Sequence, residues 1–182
     1  SGNAAKLNLA WYTDIDSAGE IESTPIVAGG IIYTTGTFGV VYAIDGKTGK
    51  LIWQYNSGAE ERNRKFATWG RNRGVALYKG KVYLGAADGR LIALDAKTGK
   101  VIWQVQTFDA SKPYSITGAP RVFDGHVVIG QGGGDKGTRG FASSYNAETG
   151  KLEWRFWVVP GDPSKGFESD AMAMAAKTWN GE

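Results

Sequence analysis

Apolar residues come in short runs along this chain, and the runs are cut by turns. In "TPIVAGGIIYTTGTFGVVYAIDGKTGKLIWQY" (Thr24–Tyr55), stretches rich in Val, Ile and Tyr are separated by Gly and Asp positions, which is how short strands are written. The pattern predicts strands at Thr24–Val27, Ile31–Thr35, Val40–Ile44 and Lys50–Tyr55. The same cadence returns as Gly74–Tyr78, Lys81–Gly85, Leu91–Leu94 and Lys100–Gln106. It returns again as Ala119–Phe123, His126–Gly130, Phe141–Tyr145 and Lys151–Trp157. Each first hairpin closes on "AGG", "KG" or "DG", and each last one on "GKTG", "AKTG" or "AETG", both of them turn chemistries.

The repeat is close at the level of residues. "VYAIDGKTGKLIWQ" (Val41–Gln54), "LIALDAKTGKVIWQ" (Leu91–Gln104) and "ASSYNAETGKLEWR" (Ala142–Arg155) each place a Gly four positions before a Trp. Trp53, Trp103 and Trp154 are 50 and 51 residues apart. A period of about 50 residues points to a propeller or a solenoid, and four sequential antiparallel strands make one propeller blade. The expected fold is therefore all-β: a partial β-propeller of four-stranded antiparallel blades. Each tryptophan is expected to dock on the Thr-Gly turn of a neighbouring blade. WD repeats fit less well, because Gln or Arg follows these tryptophans where a WD repeat has Asp.

One partial propeller domain is expected over 1–182, with blades near 24–57, 74–106 and 119–157. Trp11 reads as a stray outer strand ahead of them. Residues 158–182 read as a loop and a short helix, Asp170–Lys177, capped by Ser169 or Asp170. Three blades make an open arc with bare edges, which proteins normally cover. The arc is expected to pair with further blades or with a second copy of itself.

Composition narrows the function classes. The 182 residues are 42% apolar and 21% charged with a net charge of +3, too little and too scattered for a nucleic-acid footprint. There is no cysteine, so this chain offers neither disulfides nor thiolate metal sites. No apolar run is long enough for a membrane-spanning helix, and no stretch reads as a secretory leader. The first residues, Ser1-Gly2-Asn3, are expected to be a cleavage, excision or tag remnant.

Candidate chemistry falls on one face of the arc. In such a meander the hairpin turns lie on one face, while inter-blade loops and those between second and third strands lie on the other. The second face owns the long segments Thr13–Ser23, Asn56–Arg73 and Thr107–Gly118, and long loops on a rigid scaffold carry function. There "AADG" (Ala86–Gly89) becomes "QGGGDKGTRG" (Gln131–Gly140) in the third unit. Three glycines permit close backbone approach to a ligand, with the Asp135 carboxylate beside them. No strand–GxxxxGK[ST]–helix context exists, so a P-loop is excluded. His126, the single histidine, falls in a hairpin on the opposite face and is read as structural.

"NRGVALYKGKVYLGAADGRLIALDAKTGKVIWQVQT", "YSITGAPRVFDGHVVIGQGGGDKGTRG" and "WVVPGDPSKGFESDAMAMAAKTW" together resemble the pyrroloquinoline-quinone-dependent (quinoprotein) alcohol dehydrogenases, eight-bladed periplasmic propellers. The resemblance runs from Leu7 to Glu182 and implies the first third or so of such an enzyme, hence a periplasmic location. It implies pyrroloquinoline quinone and Ca²⁺ as cofactors, an alcohol as substrate and an aldehyde as product. Glu22 matches an acid that hydrogen-bonds the quinone, Arg73 an arginine that pairs with its anionic groups, and Thr117 a hydroxyl donor to a carboxylate. Gly132, Gly133 and Gly134 match the stretch along the ring edge, and Asp135 stands where the family has a calcium-binding glutamate. The family's adjacent cysteines are replaced by Ala67-Thr68, with Trp69 next as a candidate cover for the ring. Its stacking tryptophan, calcium-binding asparagine and catalytic aspartate would fall beyond Glu182, so the isolated chain is expected to be inactive. The alternative is a non-enzymatic propeller scaffold for protein–protein interaction. The joint presence of Glu22, Arg73, Thr117 and the Gly-rich insertion favours the enzyme reading.

Overall fold

A computed structural model describes residues 2–17, 19–60 and 70–178. Its strands are β1 (Ile26–Ala28), β2 (Ile31–Thr35), β3 (Val41–Asp45), β4 (Leu51–Tyr55), β5 (Ala76–Tyr78), β6 (Lys81–Gly85), β7 (Arg90–Asp95), β8 (Val101–Gln106), β9 (Arg121–Phe123), β10 (His126–Gly130), β11 (Phe141–Asn146) and β12 (Leu152–Trp157). They form three four-stranded sheets, β1-β2-β3-β4, β5-β6-β7-β8 and β9-β10-β11-β12, every neighbouring pair antiparallel. These are the three expected blades.

The repeated residues explain the repeated shape. Asp45, Asp95 and Asn146 each end a third strand and fold the next turn by accepting the backbone N–H of Thr48, Thr98 and Thr149, at 2.7, 2.8 and 3.1 Å. The Thr48 and Thr98 hydroxyls also donate to those carboxylates and, as the largest cause, hold Asp45 and Asp95 below the usual carboxylate range. A bulge then falls at the same place in every blade, after Ala43, Ala93 and Ser144.

Trp53 and Trp103 each reach the next blade, while Trp154, on the outer strand of the third blade, is 47% exposed with no described turn beside it. The Trp53 indole N–H donates to the Ala96 carbonyl at 3.0 Å, and that of Trp103 to Ala147 at 3.1 Å. The rings lie flat on turn glycines: a Cβ on Gly99 would come within 2.6 Å of Trp53, and one on Gly150 within 2.7 Å of Trp103. Both glycines also have positive φ, 69° and 71°, so any side chain there would meet strain as well as a clash. Tyr33 and Tyr83 donate to the same two carbonyls from the second strands.

The apolar core lies between the blades. Along β7, Ile92 and Leu94 belong to the cluster shared with blade 1, whereas Leu91 and Ala93 belong to the cluster shared with blade 3. All four are fully buried, as expected for a strand covered on both faces. Blade 2 is thus the filling between its neighbours.

Several strand ends shift by one or two residues from the sequence reading, the innermost strands starting at Ile26, Ala76 and Arg121, and two larger details differ. Residues 7–17 around Trp11 form no strand. Side chains hold them instead: Trp11 donates to the Gly46 carbonyl at 3.1 Å, Thr13 to that of Gly49, and Tyr42 donates to that of Asp16 at 2.7 Å. The ring docks on the last turn of the first blade as Trp53 and Trp103 dock on theirs, but the segment joins none of the three sheets. The helix runs Asp170–Ala176, with Lys177 as its C-cap and Ser169 as N-cap, its hydroxyl accepting the Met172 N–H at 3.3 Å.

Candidate functional site

The site begins where the innermost strands begin. Just ahead of β1, β5 and β9, three extended segments lie side by side and are stitched by their backbones. The Arg73 N–H donates to the Thr117 carbonyl at 3.0 Å, and the Thr24 N–H to the Arg73 carbonyl at 3.4 Å. Equivalent positions of three blades meet on the long-loop face.

Local anchors fix each segment. The Ser23 hydroxyl accepts the Thr35 N–H at 2.9 Å and the Thr34 hydroxyl at 3.0 Å, tying the Glu22 segment to β2. Asn72 is buried; its amide donates to the Gly85 carbonyl at 2.9 Å and accepts the Gly74 N–H at 3.0 Å. With its neighbour locked on both sides, Arg73 can project in only a narrow range of directions.

Glu22, Arg73 and Thr117 come together in one hydrogen-bonded chain. Arg73 donates through Nη1 to Thr117 Oγ1 at 2.8 Å and pairs through Nη2 with Glu22 Oε2 at 3.2 Å. Arg71 holds the other oxygen, Nε to Glu22 Oε1 at 2.9 Å, and reaches Glu20 Oε2 with Nη2 at 2.9 Å. Glu20, Arg71, Glu22 and Arg73 alternate in charge, and the neutral Thr117 hydroxyl ends the chain. These charged side chains are partly to largely exposed, so each ion pair is worth at most about 1 kcal/mol of stability. Their value lies in placing cationic forks and a hydroxyl side by side.

Two adjoining clefts open beside this chain and share Gly118 and Ala119. One, of about 340 Å³, is lined by Arg73 with Thr24, Ile26, Val75 and Arg121. The other, of about 270 Å³, is lined by Thr117 with Ile129, Gly130, Gln131 and Gly132. The glycine stretch is pinned to the Thr117 segment, since Gly132 donates to the Ser115 carbonyl at 2.7 Å and accepts the Ser115 N–H at 3.2 Å. Gly133 is left-handed with φ 114°, and a Cβ there would meet the Pro113 carbonyl oxygen at 2.5 Å. Gly134 opens the short 3-10 segment Gly134–Lys136, which carries Asp135 exposed in its first turn.

Asp135 makes no hydrogen bond or ion pair with Glu22, Arg73 or Thr117 among the described residues. No group of three or more His, Cys, Asp or Glu that could hold a metal occurs among them either. A calcium ion takes roughly six to eight oxygens. Asp135 can offer one carboxylate, so these residues alone do not make a calcium site. Ala67, Thr68 and Trp69 lie outside the described residues.

The loops around the site are braced from blade to blade. Arg90, buried against Asp88 at 2.8 Å, reaches the Ser57 carbonyl, and Arg155 makes the equivalent reach to Thr107 from the next blade. Arg139 stacks over Trp157 at 4.5 Å and binds both oxygens of Glu168. That hydrogen bonding is the main reason the Glu168 carboxyl is held down at about 2. His126, on the turn face, pairs with Glu153 at 2.7 Å, a contact within its own blade.

Arg71, Glu20 and Asn72 were not singled out as site residues in the sequence, although a signal existed. Glu20 and Glu22 are two apart, as are Arg71 and Arg73, and in extended chain that spacing puts both members on one side. Two acids on one segment and two arginines on another then face each other.

A β-propeller arc with a carboxylate–arginine–hydroxyl chain at the start of its inner strands is the class of protein that fold and site define. The chain belongs to the pyrroloquinoline-quinone (PQQ) alcohol dehydrogenase family: "PQQ: Glucose/ethanol/alcohol dehydrogenase, beta-propeller domain" matches residues 1–181. Among its relatives, the quinohemoprotein alcohol dehydrogenase ADH IIB of Pseudomonas putida is 52% identical over 183 residues, covering 100% of this chain and 26% of that protein. The crystal structure of the quinohemoprotein alcohol dehydrogenase from Comamonas testosteroni superposes with a TM-score of 0.92 at 50% identity, over 98% of this chain and 27% of that one. A europium-containing methanol dehydrogenase superposes at 0.81 with 34% identity, over 90% and 29%. BamB from Moraxella catarrhalis, at 20% identity and 0.52, shares the fold alone. The chain spans about a quarter of the length of these dehydrogenase relatives, less than the third that the resemblance implied. The haem in the relatives' names had no counterpart in the sequence reading.

Proposed function

We propose that this chain forms part of the wall of a PQQ site in an alcohol dehydrogenase that oxidises an alcohol to an aldehyde. The observation that carries the reading is the convergence of Glu22, Arg73 and Thr117 beside a cleft in a member of this family. When bound, the quinone accepts the two electrons taken from the alcohol. The protein's part is binding and orientation. The Arg73 guanidinium would hold a planar carboxylate through its fork, the Thr117 hydroxyl would donate to a carboxylate oxygen, and Glu22 would hydrogen-bond the ring. Gly132, Gly133 and Gly134 would let backbone lie close along the ring edge, and Asp135 would supply one oxygen to a Ca²⁺ site completed by groups outside this chain. Periplasmic location and pairing with further blades belong to the same reading.

Titration of the chain with PQQ tests it. Weak binding is expected, lost in Arg73→Ala, with no turnover of ethanol when PQQ and Ca²⁺ are both added. Binding that ignores Arg73→Ala, or turnover that needs both additions, would overturn the proposal.

A further inference from the structure

We propose that Arg71 is a positioning residue: it holds the Glu22 carboxylate so that Arg73 remains available to an anionic ligand. The inference rests on the cofactor-wall reading above and concerns how that wall is kept ready. Glu22 is shared by two arginines, but not equally. The Arg71 contact is 2.9 Å and the Arg73 contact 3.2 Å. Arg71 is also the less exposed side chain, 37% against 50%. Arg73 lines the larger cleft together with Arg121, whereas Arg71 does not border it. The arginine with the looser hold on Glu22 is thus the one that faces the cleft.

The chemistry of the fork gives Arg71 its part. A guanidinium can serve two carboxylates at once because its donors diverge in one plane. Arg71 does so, Nε to Glu22 and Nη2 to Glu20, so its own charge is met while it grips Glu22. Without it, the whole Glu22 charge would fall on Arg73, and an incoming carboxylate would have to compete with that internal pair. Lysine could not replace it fully, since a single ammonium does not span both acids in one plane.

A double-mutant cycle separates this role from a general electrostatic or structural one. Arg71→Gln should weaken PQQ binding about fivefold, the upper end for a partly exposed ion pair. In a Glu22→Gln background the same change should do nothing, because the group through which Arg71 acts is gone. Arg71→Lys should recover part of the loss. An equal loss in both backgrounds, or no loss in either, overturns the proposal.

A second readout needs no ligand. Rotation of the Arg73 guanidinium, followed by ¹⁵N NMR, should slow in Arg71→Gln as Glu22 closes on Arg73, and should not respond to Arg71→Gln once Glu22 is Gln. If the parent chain fails to bind PQQ, the cofactor-wall reading falls. The rotation measurement then decides the Arg71 role alone: slowing supports it and an unchanged rate refutes it.

Discussion

Tyr83 illustrates how much one residue can carry. It is completely buried, and its hydroxyl donates to the Ala147 carbonyl of the next blade at 3.0 Å. Burial chiefly, with Glu148 and Tyr78 nearby, pushes that hydroxyl from its ordinary 10.0 up to about 12. The unfolded chain therefore loses this proton before the folded one does. The stabilisation is complete below pH 10 and disappears as the pH rises through about 12. We expect the urea midpoint to fall across that window, and to fall less steeply in Tyr83→Phe. At neutral pH the variant should lose about 1 kcal/mol with its hydrogen bond. Identical slopes for parent and variant would show that the alkaline loss comes from elsewhere.

At the scale of elements, the outer strands are alike in sequence and unlike in environment. Trp53 on β4 is 8% exposed because blade 2 lies under it, whereas Trp154 on β12 is 47% exposed with no described turn to receive it. Trp53→Ala should cost about 3 to 5 kcal/mol, the range for a large buried aromatic that leaves a cavity. Trp154→Ala should cost less than about 1 kcal/mol, as for a surface change. Urea unfolding of the two variants side by side measures both, and equal losses would mean that the inter-blade contact is not what stabilises the arc.

At the scale of the arc, the first and third blades present different outer faces. Blade 1 has its turn already capped, since the Trp11 indole donates to Gly46. Blade 3 presents Leu152, Trp154, Phe156 and Val158, all large, apolar and exposed. Such a strip invites association, and the repeat suggests its form: Trp154 would donate to the turn carbonyl of whatever lies next. We expect light scattering to show self-association of the isolated chain on the order of tens of micromolar, reduced by Trp154→Ala. A stable monomer at those concentrations would argue that the face is covered only by other blades.

The blades could be read directly from the sequence because their causes are local. Alternation with period two, a Gly-containing turn and an Asp or Asn before Thr-Gly act over a few residues, and each was written three times. Tryptophan docking was legible for the same reason, as one residue type at one offset from one turn. Glu22, Arg73 and Thr117 stood out through family resemblance, and their direct contact is a matter of folding. They are 51 and 44 residues apart, and they meet only because stacked blades bring equivalent positions side by side. Arg71 and Glu20 went unread because an ion pair between segments depends on which inter-blade loops adjoin, and local spacing does not say. The chain by itself determined the repeat, the turns and the docking rings, all set by interactions along the strand and its nearest turn. Tertiary structure alone decided which charges share a cleft and which tryptophan is left uncovered, because both depend on what each blade packs against.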